Sequence, residues 1–246
     1  MQTVPDIVFL LDVDNTLLDS DTILSHLKDF LEGEFGCENS DHYWSIFEKL
    51  RKELGYADYL GALQCYRMEH SDDPRLHLIS SFLINYPYKE RLYPNALAVI
   101  EHLQQFGPTV ILSDGDIVLQ PLKILRSGLW DAVEGRVLIY VHKEQMLAAI
   151  KEQYPAKHYV MVDDKLRILA AMKAQWKNDL TTIFPRQGHY AHDIKQLLTY
   201  RKADTSIDSI SDLLNYGFSY KVDLIEYNLN SNKKLFYIDV YCSYFI

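Results

Sequence analysis

Residues 9–19 read Phe9-Leu10-Leu11-Asp12-Val13-Asp14-Asn15-Thr16-Leu17-Leu18-Asp19, and this stretch decides the fold. An uninterrupted apolar run over residues 7–11 closes on two acidic residues one position apart. Continuous rather than alternating hydrophobicity describes a strand buried on both faces, as in a parallel sheet covered by helices. Ligands of such sheets bind beyond the carboxyl ends of the strands, so Asp12 and Asp14 stand where chemistry is expected. Val13 turns away from them, because successive side chains alternate in extended chain.

The same signature returns at residues 109–113 (TVILS), 158–163 (HYVMVD) and 181–184 (TTIF). Helical periodicity fills the intervals. Residues 95–106 put Leu97, Val99, Ile100 and Leu103 on one face, with Gly107 placed to end the helix. Residues 117–127 and 166–176 follow the same rule. Strands alternating with helices predict an α/β protein with a Rossmann-like, doubly wound parallel sheet.

One block departs from that rhythm. Residues 21–85 show helical periodicity and no strand pattern. Ile23, Leu24, Leu27, Phe30 and Leu31 make one apolar stripe. Tyr43, Ile46, Phe47 and Leu50 make a second, entered through Ser40 as N-cap. Residues 57–68 and 74–84 supply two more helices. The expectation is an α-helical cap domain inserted after the first strand. Residues 1–18 and 90–215 then form the α/β core and residues 19–89 the cap, with hinges near 17–20 and 87–92. Residues 216–246 form a C-terminal extension, in which the runs 220–227 and 234–246, around Asn230-Ser231-Asn232, suggest a β-hairpin. Its strand propensity and low charge make it an aggregation hazard as a free edge. It pairs with the main sheet, or with another subunit in a homo-oligomer, or is an extension without catalytic consequence.

Bulk properties exclude several classes. A net charge of −9 disfavours nucleic acid as the main partner. Cys37, Cys65 and Cys242 are widely spaced and contain no CxxC pair, which fits neither a disulfide framework nor a zinc site and suits a reducing compartment. No stretch approaches the ~18 apolar residues of a membrane span. The expectation is a soluble cytoplasmic protein with no nucleic-acid or membrane partner.

The strand ends carry the chemistry. The first ends in Asp12-Val13-Asp14-Asn15-Thr16, the second in Ser113-Asp114-Gly115-Asp116 and another in Asp163-Asp164-Lys165, while the apolar run 137–143 delivers Lys143. So many carboxylates on one sheet edge repel one another. A divalent cation removes the conflict, and hard oxygen ligands favour magnesium as the cofactor.

The order Asp-x-Asp-x-Thr, Ser, Lys, Asp-Asp, each at or just past a separate strand, resembles the haloacid dehalogenase superfamily over roughly residues 5–200. That resemblance implies Asp12 as the nucleophile that forms an aspartyl-phosphate. It implies Asp14 as the general acid that protonates the leaving group and then activates water. Ser113 and Lys143, with Asp114 beside them, would form the phosphate-binding group. Asp163 or Asp164, the carboxylate of Asp12 and the backbone carbonyl of Asp14 would bind magnesium. Superfamily members that cleave carbon–halogen bonds lack an acid at the place of Asp14. The implied activity is therefore a phosphatase acting on a small phosphorylated metabolite, with a sugar-phosphate mutase as the alternative. A phospho-switch such as a receiver domain presents its acids and lysine in the reverse order and has no such cap, and a silent binding protein would not need every catalytic type.

Ordinary readings stand beside these. Ser113 could cap the following helix. Lys123 falls within an amphipathic helix, where solvent exposure accounts for it, and Lys165 and Arg167 are either surface charge or an offset to the acidic site. In residues 185–189 (PRQGH), Arg186 and His189 either contact substrate or belong to an ordinary surface loop. The cap aromatics Tyr43, Trp44, Phe47, Tyr59 and Tyr66 are spaced as helix core.

Overall fold

In the computed structural model, which describes residues 4–219 and 234–237, six strands form one sheet: β1 (Ile7–Leu11), β2 (Thr109–Asp114), β3 (Val137–Tyr140), β4 (His158–Val162), β5 (Leu180–Pro185) and β6 (Thr205–Ile207). Their order is β3-β2-β1-β4-β5-β6, and every neighbouring pair is parallel. The opening run is thus the inner strand about which the sheet is wound. Ile7, Phe9 and Leu11 enter the core on one face, and Val8 and Leu10 enter the core on the other. Two covered faces explain why no residue of the strand is polar.

The helices are α1 (Ser20–Phe35), α2 (Cys37–Leu54), α3 (Tyr59–Glu69), α4 (Leu76–Asn85), α5 (Ala96–Gln104), α6 (Leu119–Ser127), α7 (Leu129–Ala132), α8 (Leu147–Gln153), α9 (Leu166–Trp176) and α10 (Ile194–Thr199). Val99, Ile100 and Leu103 of α5 and Ile124 of α6 cover the first face of the sheet, whereas Ile150 of α8 and Ile168, Leu169 and Met172 of α9 cover the second. Gly107 sits where α5 hands over to β2. A Cβ there would lie 2.1 Å from the Ile7 carbonyl oxygen, so close approach to β1, as well as helix termination, requires glycine.

Helices α1–α4 pack on one another around Leu27, Leu31, Phe35, Tyr43, Phe47 and Tyr66, a cluster of their own that Leu119 of α6 joins from the core side. The chain enters and leaves this cap at adjacent points. Leu18 and Leu92 form an antiparallel bridge, the Asp19 N–H donates to the Arg91 carbonyl at 2.8 Å, and the Tyr93 N–H donates to the Leu17 carbonyl at 2.9 Å.

One expectation is corrected. Ser40 is not the N-cap of α2, because it lies buried inside that helix. Gly36, in the left-handed region at φ 81°, makes the corner between α1 and α2 instead. The short β6 was not anticipated, since Thr205-Ser206-Ile207 is too brief to show a pattern. In the C-terminal extension, β7 (Tyr216–Ser219) pairs in parallel with β8 (Lys234–Tyr237), a pairing that leaves the expected hairpin of runs 220–227 and 234–246 untested. The run 220–227 and the end of the tail lie outside the described residues. β7 belongs to the core, since Phe218 packs edge-on against Phe9 with ring centres 4.9 Å apart. Among the described residues, no helix is long and apolar enough to cross a membrane.

Candidate active site

The loop after β1 is wound tightly. The Val13 carbonyl accepts the N–H groups of Thr16, Leu17 and Leu18 at 3.2, 2.9 and 2.9 Å. Asn15 takes a left-handed conformation, φ 57°, which Asn tolerates better than most residues. Its Oδ1 accepts from the backbone N–H of Ser20 and Asp21, and its Nδ2 donates to Asp21. Asp21 in turn accepts from the ring Nδ1 and the backbone N–H of His189, both at 2.7 Å. The beginning of the cap and the loop after β5 are thus locked to the turn that carries Asp14.

Beneath this turn lies a buried ionic cluster. Asp12, Asp163 and Asp164 can bring one oxygen each within 4.8 Å of one another. Lys143 is fully buried among them: its ammonium lies 2.5 Å from Asp12 Oδ1 and 2.7 Å from Asp163 Oδ2, and it donates to the Leu112 carbonyl at 3.1 Å. Burial disfavours the ammonium, but Asp12, Asp163 and Asp114 outweigh it and hold the lysine firmly charged. Burial pushes the Asp12 carboxyl up to about 6 despite Lys143. The Asp114 carboxylate accepts the Lys143 backbone N–H at 2.8 Å and so fixes the turn that delivers the ammonium.

The two neighbouring acids after β4 divide their work. Asp163 faces Lys143 and also accepts the Lys165 N–H at 2.8 Å. Asp164 has two buried carboxylate oxygens, neither with a hydrogen-bond partner among the described residues, and Asp12 Oδ2 is in the same condition. Burial drives the Asp164 carboxyl well above its ordinary range. Buried, unpartnered carboxylate oxygens facing one another are the donor set that a hard divalent cation satisfies. The residues present therefore fit such an ion.

Asp14 is held apart from that cluster. Ser20 Oγ and the Lys123 ammonium donate to one of its oxygens, and Gln120 Nε2 donates to the other at 2.9 Å. Burial alone would raise its carboxyl, but the Lys123 charge and hydrogen bond outweigh burial and bring it to about 2. Lys123 is only 7% exposed, which corrects the solvent-exposed reading. A signal was present: Leu119, Gln120, Lys123, Ile124 and Ser127 form the buried stripe of α6, so the lysine falls on the core face of its helix. Gln120 also donates to Ser113 Oγ at 2.8 Å, a bridge between two site residues that no motif announced. Ser113 does not cap α6, since Asp116 accepts the N–H groups of Val118 and Leu119.

A cavity of about 520 Å³ opens above these residues. Asp14, Asp114, Asp164 and Lys165 line it on the sheet side, and Phe47, Arg51, Tyr56 and Tyr59 line it on the cap side. Asp12, Ser113, Lys143 and Asp163 are buried and do not line the cavity themselves. Arg51 donates to the Tyr190 hydroxyl at 2.7 Å and so ties α2 to the loop after β5. Lys165 is an offset to the acidic site, because Asp164, Asp12 and Asp163 together outweigh its burial and hold it charged. His189 borders the cavity; Arg186 pairs at 3.6 Å with Asp208, away from it. The cap aromatics split between two places, with Tyr43 and Tyr66 buried in the cap and Phe47 and Tyr59 reaching the cavity.

Residues 8–175 match the family model described as haloacid dehalogenase-like hydrolase. A crystal structure described as a haloacid dehalogenase-like hydrolase from Burkholderia xenovorans LB400 is 63% identical, covers 85% of this chain and 98% of its own, and superposes with a TM-score of 0.83. A HAD-hydrolase from Bacillus subtilis bound to magnesium shares the fold at 16% identity and a TM-score of 0.58, covering 85% of this chain and 97% of its own. An L-2-haloacid dehalogenase from Xanthobacter autotrophicus does so at 14% identity and 0.58, covering 87% and 98%. No curated protein matched the sequence.

Proposed function

The chain belongs to the haloacid dehalogenase-like hydrolases, and from that membership we propose that it hydrolyses a small-molecule phosphate monoester through an aspartyl-phosphate on Asp12. The observation that carries this reading is Asp14. A second carboxyl, two residues past the nucleophile, lines the cavity and is held by Ser20, Gln120 and Lys123. A phosphate ester expels an alkoxide that needs a proton, whereas a halide does not. The dehalogenases among the structural relatives are 14–21% identical, so their likeness is one of fold.

Asp12 and Asp164 would hold magnesium with the Asp14 backbone carbonyl, and Asp163 would act through Lys143. When bound, the ion supplies positive charge against the phosphoryl oxygens. Lys143 supplies more from beneath, and Ser113 Oγ can donate to the same group. An Asp12 oxygen attacks phosphorus, the ester P–O bond breaks, and the leaving oxygen takes the Asp14 proton. An entering phosphoryl dianion competes for the Lys123 ammonium and thereby raises the affinity of Asp14 for that proton. Afterwards the Asp14 carboxylate takes a proton from water, which attacks phosphorus and frees Asp12. The cap and the Arg51–Tyr190 contact keep bulk water from the intermediate.

Purified protein with magnesium should release phosphate from an aryl phosphate, and Asp12→Asn should lower kcat by about a thousandfold or more. Halide release from a 2-haloacid without phosphate release, or undiminished phosphate release by Asp12→Asn, would overturn the reading.

A further inference from the structure

A second group of ligating side chains lies on the cap, and none of them borders the cavity. His42 on α2, Glu69 at the end of α3 and its C-cap His70 each offer one ligand atom, all within 4.8 Å of one another. His42 Nε2 is 2.7 Å from Glu69 Oε2. The His70 ring stacks on Tyr66, with ring centres 4.2 Å apart and planes 4° from parallel. The His42 ring lies 5.6 Å from both Tyr66 and His70. Tyr66 is itself buried against Tyr43, so both imidazoles rest on a fixed aromatic platform.

We propose that His42, Glu69 and His70 form a zinc-binding site on the cap, separate from the catalytic sheet edge. His70 Nδ1 faces the Tyr66 carbonyl at 3.3 Å. A proton held there leaves the Nε2 lone pair free, the arrangement by which metal-ligating histidines are oriented. Two imidazoles and one carboxylate suit a borderline cation such as Zn²⁺, whereas magnesium prefers an all-oxygen shell. Tetrahedral ligands about 2.0–2.1 Å from zinc lie roughly 3.3 Å apart. The three atoms therefore need only small adjustments, and the Glu69 side chain, 57% exposed, is free to make them. Zinc replaces the His42–Glu69 hydrogen bond, and the His42 proton moves to Nδ1. The bound ion joins α2 to the end of α3 and stiffens half of the cap's helices.

The full chain, free of any histidine tag, is titrated with zinc against a chromophoric chelator in excess magnesium, which occupies the hard-oxygen cluster at the sheet edge. One zinc per chain should bind, and His42→Ala and Glu69→Gln should each weaken it by about tenfold or more. Zinc should also raise the thermal midpoint of the parent protein and leave that of His42→Ala unmoved. Both changes lie at half-exposed or exposed positions, so the cap core is undisturbed. Absence of uptake at about a hundredfold excess of zinc, or equal binding by the His42→Ala/His70→Ala double variant, would overturn the site. Neither outcome depends on the identity of the substrate.

Discussion

In the proposed reaction Asp14 is the proton donor, and Lys123 is its ion-pair partner. Asp14→Asn removes the proton donor, so the rate on an alkyl phosphate should fall by about 10²–10⁴. An aryl phosphate with an acidic leaving group should lose much less in its first step; equal losses on both would deny Asp14 the acid role. Lys123→Met tests the ion pair through stability. The folded Asp14 carboxyl is lowered from 3.8 to about 2, so its contribution is complete above pH 3.8 and disappears as pH falls through about 2. At ~1.4 kcal/mol per unit that amounts to about 2.5 kcal/mol, for a side chain only 25% exposed. Denaturant unfolding at neutral pH should show the variant weaker by about that amount, with the gap narrowing toward pH 2. A gap that persists in acid would mean the lysine stabilises by packing alone. Asp12, Asp14, Ser113, Lys143 and the Asp163–Asp164 pair, which the fold gathers at one sheet edge, were legible in order along the chain, because each stands at or just past a strand end. The contacts of Lys123 and Gln120 with Asp14 were not, since the core face of α6 marks both as buried but not what they meet, more than a hundred positions away.

At the scale of elements, the parallel sheet was readable because strands buried on both faces have continuous apolar sequence, and the helices because each has one covered face. What escaped reading was backbone geometry. Gly36 and Ser40 both suit a helix start, and only the corner between α1 and α2 decides for the glycine. The same kind of constraint operates at Gly188, with φ 66° and a Cβ position 2.6 Å from the Asn15 side chain. Gly188→Ala should push on Asn15 and loosen the contacts that join Asp21 and His189 to the Asp14 turn. The expected result is a loss of about 1–3 kcal/mol in unfolding free energy together with a fall in kcat. Unchanged stability and rate would show that the Asn15 turn is not held from that side.

For the whole molecule, a cation held by the unpartnered oxygens of Asp12 and Asp164 would tie stability to metal. Magnesium should raise the thermal midpoint by mass action, adding about 2.7 kcal/mol of stability at a hundredfold excess over Kd. Chelation should reverse it. Asp164→Asn removes the better donor, so the variant should gain nothing from magnesium and, without metal, should melt no lower than the parent. A magnesium response retained in Asp164→Asn would move the ion elsewhere.

The Leu18–Leu92 bridge, where the chain leaves for the cap and returns, has a consequence for how such a protein can change. The hydrogen-bond ladder of the sheet runs through β1 and on to β2 without crossing residues 20–85. Those residues form a closed excursion from a single doorway. Beyond Ser20 and Asp21, which hold Asp14 and its turn, substitution, lengthening or replacement within the excursion leaves the strand register, and with it the spacing of Asp12, Ser113, Lys143 and Asp164, as it was. Selectivity can therefore diverge on one side of the doorway while the chemistry on the other side is inherited intact.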